Sequence, residues 1–76
     1  MIIEVTQEDI RFGQRHSPEE CPVARACSRV FVGQRVRVSS SHANVGLVAY
    51  KLPPEAADFI DRFDGCLSVQ PLEFEL

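Results

Sequence analysis

The chain has 76 residues, 45% of them hydrophobic and 25% charged, with a net charge of −3. This is the ordinary globular range, which argues against a disordered segment, and the length allows one small domain, residues 1–76, that buries only about 60% of its unfolded surface. Three cysteines cannot all pair within one chain, so a disulfide framework is not expected. The opening Met1-Ile2-Ile3-Glu4 has no basic region ahead of an apolar stretch. The longest uncharged run, Val38 to Tyr50, is too short and too polar to span a bilayer; a cytoplasmic protein with no membrane partner is expected.

In chain order, Ile2 to Val5 reads as a strand. Thr6 then caps a short helix with acidic residues in its first turn, Val5 stapling onto Ile10 and Gly13 as the stop. A second helix has two competing starts, Ser17 with Glu20 or Cys21 with Pro22. Pro22 would crowd the interior of the earlier frame, so the later one is preferred, with Ser17–Glu20 as a separate turn. Val23, Cys27 and Val30 form its apolar stripe and Arg25 and Arg29 a basic face. The β-branched and aromatic run Val30-Phe31-Val32 predicts a strand that turns at Gly33-Gln34 into Arg35-Val36-Arg37-Val38.

Ser39 to Asn44 contains nothing apolar larger than alanine and is expected to be an exposed, mobile loop before a strand over Leu47–Leu52. Pro54 opens the last helix, Ala56, Phe59, Ile60 and Phe63 form its stripe, and Gly65 closes it. The alternation in Leu72–Leu76 marks a final strand. The order β-α-α-β-β-β-α-β predicts an α+β fold, with helices packed on one face of a small, mainly antiparallel sheet. Glu4, Arg35, Arg37, Glu73 and Glu75 are expected on the wet face, the arginine strand beside an acidic one because like charges directly opposite are unfavourable.

Charge is uneven along the chain. Residues 1–10 hold three acids and no base, residues 11–37 six arginines against two glutamates, and residues 38–76 two bases against six acids. Arginine is the side chain suited to bidentate recognition of carboxylate or phosphate. A ligand-binding cluster of Arg15, Arg25, Arg29, Arg35 and Arg37, with His42 in the serine loop, would hold an anion such as a nucleotide. The bland alternative is a solvated surface neutralised by neighbouring acids. Nucleic acid is a poor partner, because the pI is near 5.2 and no aromatics interleave the basic residues. The acidic face of the last helix is ordinarily a solvated one, though it would suit a basic protein partner.

Cys21 at a helix start, with His16 five residues earlier, suggests a thiol nucleophile, but no orienting group or oxyanion element is recognisable, and cysteine is often a small buried hydrophobe. His16, Cys21, Cys27, His42 and Cys66 have no metal-ligand spacing, so no metal or cofactor is expected.

The segments Val5-Thr6-Gln7-Glu8-Asp9-Ile10, Cys21-Pro22-Val23-Ala24, Leu52-Pro53-Pro54-Glu55-Ala56-Ala57-Asp58-Phe59-Ile60 and Phe74-Glu75-Leu76 together resemble a group of short uncharacterised proteins of tailed bacteriophages and prophages. No activity, catalytic residue or ligand attaches to that group, so the resemblance implies context alone: an accessory phage product inside a bacterial cell, of a class that often counters host defences. The leading expectation is a non-enzymatic binding protein that sequesters an anionic nucleotide or inhibits a host protein. The alternatives are an assembly module that self-associates through an edge strand, as a homo-oligomer, and a Cys21-dependent thiol enzyme.

Overall fold

The computed structural model describes residues 1–76. The elements are β1 (Ile2–Val5), α1 (Gln7–Phe12), α2 (Pro22–Val30), β2 (Val36–Val38), β3 (His42–Val45), β4 (Val48–Lys51), α3 (Pro54–Asp64) and β5 (Leu72–Glu75). The fold is α+β, and all strand pairing is antiparallel. The strands form two sheets: β1 pairs with β5, and β2, β3 and β4 form a meander. Val36, Val38, Ala43 and Val45 of the meander and Ile3, Val5 and Phe74 of the pair point into one core, with Val23, Ala24 and Cys27 of α2 and Ala56, Phe59 and Ile60 of α3.

The helix ends follow from local chemistry. Thr6 and Asp9 form a reciprocal capping box, Thr6 N–H donating to Asp9 Oδ2 at 2.9 Å and Asp9 N–H to Thr6 Oγ1 at 3.2 Å. The Cys21 thiol caps α2 by accepting from the Ala24 N–H at 3.4 Å, and Pro22 occupies the first turn. Ser17 to Glu20 is the separate turn, closed by Glu20 N–H to Ser17 Oγ at 3.0 Å. Gly13 is required by close packing: a Cβ there would lie 2.6 Å from the Asp9 carbonyl oxygen and 2.7 Å from Pro22 Cδ.

Asp9 also ties the layers together. Its carboxylate is fully buried, and Arg29 of α2 grips it with both terminal nitrogens, at 2.6 and 2.5 Å. Arg29 Nη2 donates as well to the Glu4 carbonyl of β1 at 2.9 Å, so one guanidinium joins α1, α2 and β1.

The middle of the chain departs from expectation in two places. Val30-Phe31-Val32 is no strand: the Phe31 N–H continues the helical pattern to the Cys27 carbonyl at 2.9 Å, and Gly33 at φ +82 then turns the chain. The expected Ser39–Asn44 loop is only a serine turn, with Ser39 N–H to His42 O at 2.8 Å, and His42–Val45 pairs on both sides as the central strand. Ala43 and Val45 are small enough to fit the core beneath it. The element order agrees because one strand expected is lost and one unexpected is gained.

The acidic and basic strands also do not meet. Arg37 stands opposite Asn44, and Glu4 stands opposite Glu73, so Glu4, Glu73 and Glu75 lie on a different sheet from Arg35 and Arg37. Arg29, bound at the Glu4 backbone, supplies positive charge beside that like-charged pair.

Burial raises the Asp9 pKa, but hydrogen bonds from Arg29 and Thr6 outweigh it and hold the value down from 3.8 to about 2. A depressed carboxylate contributes stability in full above its unfolded value and loses it as pH falls through the folded one. Acid titration of unfolding free energy is therefore expected to show a loss of about 2 kcal/mol between pH 3.8 and about 2. Asp9→Asn is expected to abolish that step and to cost about 2–4 kcal/mol at neutral pH, read by urea unfolding, because it strands the arginines that face it. An Asp9→Asn protein as stable as its parent would contradict the clamp.

Candidate functional site

The six sequence candidates divide into three groups. Arg25 and Arg29 of α2 are directed at Asp9, Arg25 Nε at 3.4 Å without a hydrogen bond and Arg29 bidentately. One buried carboxylate matches one of their two charges, and both side chains stay partly exposed on a cleft of about 390 Å³ that they line with Glu19, Glu20 and Ser28. Arg15 lies apart, in the loop after α1, where it lines a cleft of about 430 Å³ with Gln7, Ile10, Phe63 and Cys66.

Arg35, Arg37 and His42 belong together. The β2–β3–β4 register places Arg37, Asn44 and Ala49 in one row across the sheet and His42 beside Lys51 in the next. Side chains alternate along a strand, and the partners of Val36, Val38, Ala43 and Val45 on these strands point inward. The solvent face of the meander therefore carries Arg37, His42, Asn44 and Lys51, with Arg35 at its corner in step with Arg37.

No acidic residue stands on that face; the carboxylate at its rim is Glu19, from the turn before α2. Glu19 Oε2 accepts from Arg35 Nε at 3.1 Å and lies 4.0 Å from Arg37 Nη1. These pairs are half exposed or more and contribute little to stability. Glu19 makes one hydrogen bond to Arg35 and none to Arg37, so both guanidinium groups keep free donors. His42 is oriented by Ser41, Nδ1 to Oγ at 2.8 Å.

The outward positions of the three strands carry no aromatic ring. The clefts of about 470, 430, 300, 170 and 390 Å³ open elsewhere, and none is lined by Arg37, His42, Asn44, Ala49 or Lys51. Sequence reasoning missed Lys51 and Asn44. The alternation of Arg35-Val36-Arg37-Val38 was visible, but only cross-strand register adds Asn44 and Lys51 to it.

The cysteine reading meets a partial constellation. Asp64, at the end of α3, accepts from the His16 N–H at 2.9 Å, and its Oδ2 lies 3.8 Å from His16 Nδ1. His16 adopts a left-handed φ of 58 there, and His16, Asp64 and Cys21 line the 170 Å³ cleft. The thiol itself is buried, and that burial pushes its pKa up, with the Asp64 charge adding to the shift against the cap hydrogen bonds. Burial likewise pushes Cys27 up to about 12. A thiolate at Cys21 is thus disfavoured at neutral pH.

No group of three or more metal-ligating side chains is positioned to hold an ion. No helix is long and apolar enough to cross a membrane.

Iodoacetamide added to the native chain at neutral pH is expected to label exposed Cys66 first, with Cys21 and Cys27 reacting only on unfolding. Peptide mapping that shows Cys21 modified ahead of Cys66 would contradict the buried-thiol geometry.

Comparison with protein-family models, with curated proteins and with solved structures finds no match to this chain.

Proposed function

We propose that this protein is a non-enzymatic binding protein that docks the solvent face of its three-stranded sheet on an acidic surface of another protein. The observation that carries the reading is the convergence of Arg35, Arg37, His42 and Lys51 on one acid-free sheet face of a chain whose net charge is −3. A positive face on an acidic molecule steers it toward an acidic partner and away from other orientations.

Shape decides the class of partner. A small nucleotide is bound in a concave site that buries most of its surface, whereas none of the five main clefts is lined by Arg37, His42, Asn44 or Lys51. Single-stranded nucleic acid requires stacking platforms, and the face has none. A protein carrying carboxylates suits both the sheet face and the exposed Glu19 contact, which another carboxylate could replace. Following the resemblance to short phage proteins, the partner would be a bacterial host protein, and docking on it would inhibit it.

The test is affinity capture from bacterial lysate with the parent and with Arg37→Glu and Lys51→Glu variants, singly and together. A partner held by the parent is expected to elute with moderate salt and to lose affinity about tenfold or more with the double variant, since like charges would then face each other. Retention of the same partner by the double variant would refute the assignment of this face. A thermal shift with cyclic or ADP-ribose nucleotides that disappears on Arg37→Glu would replace the protein partner with a nucleotide.

A further inference from the structure

The meander ends on a strand whose outer edge nothing covers. The Leu52 N–H donates to the Ser41 carbonyl at 2.9 Å, so Ser41 with Leu52, Ala43 with Tyr50 and Val45 with Val48 are the hydrogen-bonding positions of the β3–β4 ladder. Antiparallel pairs alternate between bonded and non-bonded positions. The N–H and C=O groups of Ala49 and Lys51 therefore point away from β3.

The other edges are occupied or repelling. On β2, the Val38 N–H is taken by the Pro18 carbonyl at 2.8 Å. On β1, the Glu4 carbonyl is taken by Arg29. On β5, the outward backbone belongs to Glu73 and Glu75, whose charges guard that edge. β4 also has apolar surface to spare. Val48 sits on the core-facing side opposite Val45 yet is 53% exposed, and neighbouring Leu47 is fully exposed. Tyr50 is only half-buried, against Phe31 at a centroid distance of 5.6 Å.

We propose that β4 pairs antiparallel with β4 of a second copy, about a two-fold axis through Tyr50, making one continuous sheet of the two meanders. The edge is complementary to itself in this register. Ala49 meets Lys51 of the other copy and Lys51 meets its Ala49, so both outward-facing residues exchange N–H and C=O bonds in each direction. Lysine faces alanine, and no like charges stand opposite one another. Tyr50 meets its own copy at a non-bonded position on the core-facing side, where Cα atoms approach to about 4.5 Å and an aromatic pair packs well.

Val48 comes opposite Leu52 and gains cover. Pairing β5 with β5 would oppose glutamates, and pairing β4 with β5 would be head-to-tail and would not close. An interface one strand wide falls below the roughly 1,200 Å² of stable complexes, so the dimer is weak and concentration-dependent. The inference rests on the backbone edge and stands whether or not the basic face binds a partner.

Sedimentation velocity over a wide concentration range tests it. The parent is expected to pass from monomer to dimer as concentration rises, and Ala49→Pro to remain a monomer, because proline removes an outward N–H without touching the β3–β4 hydrogen bonds. Tyr50→Cys in a Cys66→Ser background is expected to form a disulfide-linked dimer under mild oxidation, which decides the matter should the proline variant fail to fold. A parent that stays monomeric at every concentration overturns the proposal, as does a dimer that survives Ala49→Pro and is not cross-linked through Cys at position 50. Assemblies that keep growing beyond the dimer overturn the two-fold in favour of head-to-tail pairing.

Discussion

The contact between Asp9 and Arg29 is the constraint around which the molecule is arranged. A carboxylate with no solvent exposure is costly unless it is paired and hydrogen-bonded. Here it receives the Thr6 N–H and both terminal nitrogens of Arg29, with Arg25 Nε nearby. Satisfying it requires α1 to end against the start of α2, which in turn requires glycine at position 13. It also brings Arg29 to the Glu4 carbonyl, closing one edge of the β1–β5 pair. Such a network specifies an arrangement more than it adds stability, since an apolar replacement of the whole set can be equally stable while loss of one member is not.

That clamp has a functional consequence, because it engages two partly exposed arginines with a buried acid. The basic segment 11–37 suggested one anion site, yet Arg25 and Arg29 are drawn toward Asp9 and Arg15 faces a separate cleft. The arginines that gather on one sheet face are those of the meander, where strand pairing adds Lys51, with His42 beside it, to Arg35 and Arg37. Fold and site are thus linked through charge: a buried acid on α1 engages the arginines of α2, while those of the meander meet only the exposed Glu19.

Local rules were legible where the chemistry is local. The Thr6 cap, the proline starts of α2 and α3 and the stops at Gly13 and Gly65 all follow from side chains within a turn of one another. The central strand was hidden because His42-Ala43-Asn44-Val45 is weakly hydrophobic by itself, and its strand state comes from pairing on both sides. Val30-Phe31-Val32 misled because β-propensity reflects packing context, and helix hydrogen bonding took Phe31 first. The split into two sheets was equally non-local. Asp9 read as an ordinary acidic first-turn residue; nothing adjacent to it in sequence announces that Arg29, twenty residues on, will bury it.

The most direct test of the central claim is a titration of the ¹⁵N-labelled chain with poly-glutamate at low salt, followed by amide chemical shifts. The account predicts changes concentrated at Arg35, Arg37, His42, Asn44 and Lys51 that fade as salt is raised. Changes centred instead on the Arg15 cleft or on α2, or no salt-dependent change at all, would contradict it.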